Sequence, residues 1–129
     1  MTINKKSFRA GPYKDFFAQG VQVGNVLHLS GQVGVDAQGS SAEDLTGQTV
    51  LAYQNLQAVL AEFGATMDNI VDETYFVTNM EEFLSSVSGV YGARAEAYGG
   101  LPEVSQTVVQ VVALVQPELK IEIKCVAHL

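Results

Sequence analysis

The segment at residues 119–128 constrains the fold most, because its residues alternate between two chemical characters. Its odd-numbered positions are apolar and its even-numbered positions are mostly polar: Leu119, Ile121, Ile123, Cys125 and Ala127 against Lys120, Glu122, Lys124, Val126 and His128. Successive side chains of a strand point to opposite faces of a sheet. The segment therefore predicts a strand with one buried face and one polar face, and the rest of the chain must supply a covering layer.

Two helices are predicted to form that layer. Residues 44–63 carry apolar side chains at helical spacing, and Gly64 follows as a residue that commonly ends a helix. A second helix is predicted to begin after Asn79, which can cap it together with Glu82, and to end before Gly99. Its expected buried stripe is Phe83, Val87, Val90, Ala93 and Ala97.

Four further segments predict strands, at residues 16–23, 26–33, 70–78 and 104–115. The order is then ββαβαββ, an α+β fold in which one domain spans residues 1–129 and two helices cover one face of a mixed sheet. The strand at 104–115 is apolar toward both faces. We therefore expect the uncovered face to be buried against other copies of the chain, as in a homo-oligomer.

Composition narrows the possible partners. Seven Lys and Arg stand against fourteen Asp and Glu, a net charge of −7, so nucleic acid is not expected as a partner. The single cysteine, Cys125, and the two distant histidines, His28 and His128, offer no metal-ligand spacing, so neither a metal nor another cofactor is expected. No apolar run approaches about eighteen residues and no targeting segment is recognised, which predicts a cytoplasmic protein without a membrane partner.

Glu122 is the strongest candidate for a catalytic group, because it lies between Ile121 and Ile123 in the final strand. Partial burial would raise its pKa and suit it to accept a proton or to orient water. The alternative is an ion pair with Lys120 or Lys124, which flank it. Both interpretations remain open at the level of sequence.

Other positions also allow two interpretations each. Ser30 and Gly31, at the end of a strand, could present a hydroxyl and a backbone N–H to a ligand or could form an ordinary turn. Tyr13 could line a pocket or pack in the core. Cys125 is expected to be a small buried hydrophobe rather than a nucleophile, because no adjacent histidine would lower its pKa.

Several segments together resemble one family, the RidA (YjgF) reactive-intermediate deaminases. They are Gly11-Pro12-Tyr13, AQGVQVGN, LSGQVGVD, QNLQAVLAEFGAT, NIVDETYFVTNMEEF and KIEIKCVA, in the family's order and over nearly the whole chain. The resemblance implies a chorismate-mutase-like fold and a homotrimer with ligand clefts between subunits. It also implies hydrolysis of short-lived enamines and imines, such as 2-aminoacrylate, to a 2-keto acid and ammonia.

The resemblance further implies site residues, some of which differ here from the family pattern. Counting back from KIEI places Thr107 at the family's carboxylate-binding arginine and Val109 at its cysteine, and Ser88 stands at its asparagine. Glu122, Ser30, Gly31 and Tyr13 match the pattern, although residues 14–17 resemble an insertion beside Tyr13. Because a threonine hydroxyl cannot replace a bidentate guanidinium, we expect a ligand other than 2-aminoacrylate.

Three hypotheses follow. The first is an enzyme that hydrolyses a small imine, an enamine or a related metabolite in an intersubunit cleft. The second is a non-catalytic small-molecule-binding or regulatory trimer, motivated by the exchanged residues. The third, an endoribonuclease, follows from an older name of the family and is disfavoured by the net charge of −7. Whether Arg9 or Arg94 supplies the missing cation stays open.

Overall fold

The computed structural model describes residues 2–129. Within them the chain forms seven strands and three α-helices, with a short 3-10 helix at Met67–Asn69. In chain order they are β1 (Lys6–Phe8), β2 (Gly20–Val23), β3 (Val26–Leu29), β4 (Gln32–Val33), α1 (Leu45–Ala61), β5 (Ile70–Val77), α2 (Met80–Ser85), α3 (Val87–Tyr98), β6 (Ser105–Gln110) and β7 (Ile121–His128). The predicted α+β class is confirmed, with one more helix than expected.

The strands form one mixed sheet in the order β1-β2-β3-β7-β5-β6, and β4 also pairs with β7. Only β5 and β6 pair in parallel. Parallel neighbours need a long crossover connection, and α2 and α3 provide it. β7 lies at the centre of the sheet, which explains why its alternating sequence is so informative.

The helices cover one face of this sheet, and the core lies between the two layers. Ile121, Ile123, Cys125 and Ala127 are all buried there, as the alternation in β7 predicts. Helix α1 adds Ala52, Tyr53, Leu56 and Leu60 to the same core. Cys125 is 1% exposed, which confirms the prediction that it is a small buried hydrophobe, and this burial raises the pKa of its thiol.

The second predicted helix is divided in two at Ser86. Asn79 caps α2 as predicted, accepting a hydrogen bond from the Glu82 N–H at 3.0 Å. Ser86 has φ −107° and ψ 9°, outside the helical region, and the preceding Ser85 hydroxyl donates to the Glu82 carbonyl. Across residues 2–129, no helix combines the length and the apolar character that crossing a bilayer requires.

The expected buried stripe of this segment is partly wrong. Phe83 and Val90 are buried, but Val87 is 40% exposed and Arg94 is buried instead. The reason is a buried acidic partner for Arg94 on the sheet, described below. A charged side chain is buried almost only when it is paired.

Two predicted strands near the N-terminus are shorter than expected. The segment at 16–23 becomes a strand only at Gly20, because residues 11–16 form turns in which the Tyr13 carbonyl accepts from the Phe16 and Phe17 N–H groups. The segment at 26–33 is interrupted at Ser30 and Gly31, which separate β3 from β4.

The predicted strand at 104–115 ends at Gln110. β6 is parallel to β5 and lies at the edge of the sheet, whereas β7 lies on the other side of β5. Residues 111–120 must therefore cross the end of β5, and they cannot continue the strand. The prediction of a strand is therefore wrong for residues 111–115, and Val112 is fully exposed in this connection.

Candidate functional site

The sheet face opposite the helices, called the open face below, carries most of the predicted site residues. Residues directly opposed on neighbouring strands point to the same face. Register therefore places Val33, Glu122, Phe76 and Val109 in one row across four strands. The adjacent row contains Lys124, Thr74 and Thr107. Glu122, Val109 and Thr107 thus lie together on one surface.

Ser30 and Gly31 form a bulge beside this surface. β3 pairs His28 with Val126, and β4 pairs Gln32 with Ile123. The chain advances four residues from His28 to Gln32, whereas β7 advances only three residues between their partners. One extra residue is therefore inserted between β3 and β4. Bulges of this kind re-aim side chains and are common beside active sites.

Gly31 lies directly under the Glu122 carboxylate. A Cβ added at Gly31 would fall 2.2 Å from Glu122 Oε2 and 2.6 Å from its Cδ. Only glycine leaves room for the carboxylate in this position. The two residues that the sequence pattern singled out separately are therefore one structural unit.

The Ser30 hydroxyl has a structural partner. It donates to the Ala18 carbonyl at 2.7 Å, and the Ser30 N–H donates to the Gln19 carbonyl at 2.9 Å. These bonds tie the bulge to the end of the N-terminal loop. The hydroxyl oxygen keeps acceptor capacity, but its proton is already used.

Glu122 is half-buried, and burial raises the pKa of its carboxyl above the ordinary value, while nearby Lys124 acts in the opposite direction. The ion-pair alternative is not found. Lys120 Nζ lies 2.8 Å from Glu82 Oε2, and Lys124 Nζ donates to the Leu29 carbonyl at 2.8 Å. Within residues 2–129 no group donates a hydrogen bond to the Glu122 carboxylate. It is a partly dehydrated acid whose acceptor sites are available to a ligand or to water.

Tyr13 lies in the N-terminal loop and is half-buried. Its ring stacks on Phe17, with centroids 5.6 Å apart and planes inclined by 15°. Arg9 holds this loop, since its guanidinium donates to the Lys14 carbonyl at 3.0 Å. The expected insertion at 14–17 therefore forms a small aromatic pair rather than part of the core.

Ser88 does not join the other candidates within one chain. It is exposed in the first turn of α3, which belongs to the helix layer on the far side of the sheet from Glu122. Thr107 and Val109 are exposed on the open face. A single chain therefore assembles Glu122, Gly31 and these two residues, and leaves Ser88 elsewhere.

The helix-covered face contains a polar cluster that sequence reasoning missed. Glu73 is fully buried and accepts hydrogen bonds from Arg94 Nε at 2.5 Å, Tyr53 at 2.9 Å, Tyr98 at 2.8 Å and Gln106 at 2.9 Å. Arg94 is therefore engaged in the interior and does not supply a cation to the open face. A signal was available, because Glu73 has the same strand parity as the inward-facing Tyr75 and Val77.

The tyrosines of this cluster serve as hydrogen-bond donors. Burial is the largest cause of raised pKa values for Tyr53, Tyr75 and Tyr98, and the Glu73 charge raises all three further. They therefore stay protonated at neutral pH. Tyr53 and Tyr75 also bond to one another, with hydroxyl oxygens 2.5 Å apart.

Fold and site together define a small α+β protein whose open sheet face carries a half-buried carboxylate above a glycine bulge. Residues 9–129 match the family described as Endoribonuclease L-PSP, and the chain belongs to this family, which includes the RidA and YjgF proteins. The expected family is thereby confirmed.

Two curated relatives and one solved structure illustrate the similarity. The RutC family protein YjgH of Escherichia coli is 33% identical over 107 residues, 83% of this chain and 79% of that protein. The 2-iminobutanoate/2-iminopropanoate deaminase of Salmonella typhimurium is 31% identical over 118 residues, 91% and 87% of the two chains. The crystal structure of E. coli TdcF with bound serine has a TM-score of 0.77 at 26% identity, over 95% and 91% of the two chains.

Proposed function

We propose that this chain is a hydrolase of small imines or enamines, in which Glu122 activates water on the open face. The observation that carries the proposal is the state of that carboxylate: half-buried, without a hydrogen-bond donor among residues 2–129, and held above Gly31. Because the carboxylate is only half-buried, its oxygens are accessible to water and to a small ligand. Family membership supports the same class of reaction.

The reaction is the addition of water across a C=N bond. Glu122 accepts a proton from water as the water oxygen bonds to the imine carbon, and the proton passes to the nitrogen to give a carbinolamine. Transfer of the hydroxyl proton to nitrogen then forms the C=O bond and releases ammonia. A raised pKa makes Glu122 a stronger base when ionised and a competent acid when protonated. Phe76 and Val109 form an apolar wall in the same row.

The site is proposed to be completed by a homotrimer. Val33, Phe76 and Val126 on the open face are only partly buried in one chain, and Val109 is 37% exposed. Burial of these side chains between copies would favour association. Ser88 and Tyr13 are proposed to contact the ligand, and Ser88 could reach it only from a neighbouring copy.

The substrate is proposed to be small and derived from an amino acid. The named activity of the Salmonella relative is deamination of 2-iminobutanoate and 2-iminopropanoate, and TdcF was crystallised with serine. Thr107 supplies a neutral hydroxyl on the open face, so the preferred substrate is proposed to differ from 2-aminoacrylate. The net charge of −7 disfavours an RNA substrate.

The test is ammonia release from imines generated in situ by an amino-acid oxidase. Wild type should accelerate release, and Glu122→Gln should lower the rate by about 10²- to 10⁴-fold, the usual contribution of a general base. Glu118→Gln removes the same charge from an exposed residue nearby and should leave the rate unchanged. Equal rates for wild type and Glu122→Gln would exclude the proposed role.

The second candidate is a small-molecule-binding trimer without turnover. It is favoured by the loss of a guanidinium at Thr107, of a thiol at Val109 and of an amide at Ser88, where the family pattern has an arginine, a cysteine and an asparagine. Saturable calorimetric binding of a small metabolite, together with unaltered imine hydrolysis in the presence of the protein, would identify this function instead.

A further inference from the structure

The positive charge of this chain is concentrated near its N-terminus. Four of the seven basic residues precede the first acidic residue, Asp15, and all fourteen acidic residues lie at or after that position. The four are Lys5, Lys6, Arg9 and Lys14. Residues 5–14, called the basic segment below, therefore carry four positive charges on a chain whose net charge is −7.

The charges of the basic segment are exposed and are not neutralised. All four basic side chains are exposed, and among residues 2–129 none of them forms a salt bridge with a carboxylate. Arg94 and Lys120, in contrast, are paired with Glu73 and Glu82. Most of the positive charge without an acidic partner therefore lies in the basic segment.

Two contacts make the basic segment part of the folded surface. β1 is an edge strand, and it holds Lys6 with its ammonium 5.3 Å from the centroid of the Phe63 ring. The Arg9 guanidinium donates to the Lys14 carbonyl at 3.0 Å, which joins the end of β1 to the turns at residues 11–16. The cations are thereby presented along one edge of the sheet.

Aromatic side chains are exposed directly after these cations. Phe16 is 79% exposed and Phe17 is 42% exposed, and both follow closely after Lys14 in the chain. The Phe17 ring stacks on Tyr13, whereas Phe16 has no aromatic partner within residues 2–129. An exposed phenyl ring gains free energy when it is buried. The surface therefore combines positive charge with an apolar group that favours burial.

This combination matches the surface of a membrane that contains anionic lipids. Such a membrane has a layer of phosphate groups above an apolar layer, and segments rich in Lys, Arg and Phe bind to it without crossing it. We propose that the basic segment and Phe16 form a peripheral contact with an anionic lipid surface. The expectation of no membrane partner rested on the lack of a long apolar run, which concerns crossing a bilayer and not binding to its surface.

The spacing and the aromatic groups favour lipid over other anions. Lys5 and Arg9 are about 13 Å apart along an extended chain, which is wider than one phosphate and suits an array of head groups. RNA also presents an array of phosphates, but single strands stack their bases on free aromatic rings. Here Tyr13 and Phe17 stack on each other. An acidic peptide offers charge without a continuous apolar layer for Phe16.

The acidic remainder of the chain acts on this contact only over a short range. At an ionic strength of about 0.15 M the Debye length is about 8 Å, so charges farther than that from the lipid are largely screened. Asp15, between Lys14 and Phe16, is the one acidic residue among residues 1–17. Its negative charge opposes the contact, so Asp15→Asn is expected to strengthen binding to anionic lipid.

The test is sedimentation of the full chain with vesicles of phosphatidylcholine, with and without phosphatidylglycerol. Wild type should bind the mixed vesicles more tightly, and added salt should weaken this binding. Lys5→Gln, Lys6→Gln and Lys14→Gln combined should weaken it by about 10²-fold, since each charge contributes about fivefold. Phe16→Ser should weaken it by about tenfold through lost apolar burial. Lys124→Gln, which removes a charge outside the basic segment, should leave binding unchanged.

Three results would overturn the proposal. The first is a wild type that does not prefer the mixed vesicles, in which case the lysines of β1 serve to prevent pairing at the edge of the sheet, a common role of lysine on edge strands. The second is binding to polyglutamate or to single-stranded RNA instead of to the vesicles. The third is vesicle binding that survives the triple substitution, because the contact would then lie elsewhere on the molecule.

Discussion

Two glutamates on adjacent strands of the sheet have opposite environments. Glu73, on β5, faces the helices, is fully buried and accepts hydrogen bonds from four side chains. Glu122, on β7, faces away from the helices, is half-buried and has no donor within residues 2–129. The same side chain type is bonded to protein donors on one face and has no protein donor among residues 2–129 on the other.

The difference separates a structural acid from a candidate functional one. Four donors fix the position of Glu73 and leave it little capacity for a ligand. Glu122 is fixed instead by the shape of the bulge at Gly31, which leaves its oxygens available. Such a carboxylate can take part in a reaction because a substrate or a water molecule can bond to its oxygens.

The largest loss of stability is expected from breaking the buried ion pair between Arg94 and Glu73. Arg94→Met leaves the Glu73 charge buried without its cation and should lower the free energy of unfolding by about 3–5 kcal/mol. Urea denaturation at pH 7 measures this change in the free energy of unfolding. Adding Glu73→Gln to this variant should restore part of the loss. Arg9→Met, at an exposed arginine, should lower the free energy of unfolding by less than about 0.5 kcal/mol. Equal losses for Arg94→Met and Arg9→Met would contradict the structural role assigned to the Glu73–Arg94 pair.

A smaller loss is expected where a glycine supports helix packing. A Cβ at Gly34 would lie 2.4 Å from the backbone Cα of Gln48 in α1, so the helix itself must move. Gly34→Ala should destabilise the protein by about 1–3 kcal/mol in thermal and urea unfolding. Gly92→Ala in α3 meets no atom within 4 Å and should be neutral or stabilising by up to about 1 kcal/mol.

Gly31→Ala should change stability little and activity strongly. Its Cβ would meet the end of the Glu122 side chain, which can rotate away, so the free energy of unfolding should fall by less than about 1 kcal/mol. The carboxylate would nevertheless leave its position. Displacement of about 1 Å can reduce a rate by about 10²-fold, and imine hydrolysis should fall to that extent. A stable variant with unchanged hydrolysis would disprove the coupling.

The smallest expected effect is the contribution of Glu122 to the pH dependence of stability. Burial raises the pKa of Glu122 above its ordinary value of 4.5, so the folded state binds the proton more tightly than the unfolded state does. Its contribution to stability is therefore present below pH 4.5 and is lost as pH rises through the folded-state pKa. Wild type should lose stability relative to Glu122→Gln across that window, while hydrolysis increases. Parallel unfolding curves for the two proteins would count against a raised pKa.

The sequence predicted which residues of β7 face the core, but it did not predict the polar cluster around Glu73. Alternation in β7 is a local pattern, and it correctly separated Glu122 from Ile121 and Ile123. The Glu73 cluster required partners from α1, α3 and β6, whose proximity is a property of the whole fold. Local patterns indicate that an acid lies in a strand, but they do not predict which distant residues donate hydrogen bonds to it.

Connections were predicted less well for a related reason. Residues 111–120 have a strand-like composition, yet their path depends on β5 lying between β6 and β7. The bulge at Ser30 and Gly31 similarly depends on the register of both β3 and β4 against β7. Each feature follows from the order of strands, which no single segment encodes.

The most direct measurement compares Glu73→Gln and Glu122→Gln in two assays, urea unfolding and ammonia release from an imine. The account predicts a crossed result: Glu73→Gln loses stability while its folded fraction still hydrolyses imine, and Glu122→Gln remains stable while hydrolysis is lost. If Glu122→Gln hydrolyses imine at the wild-type rate, or if its loss of activity is matched by unfolding, the assignment of Glu122 as the functional acid is wrong.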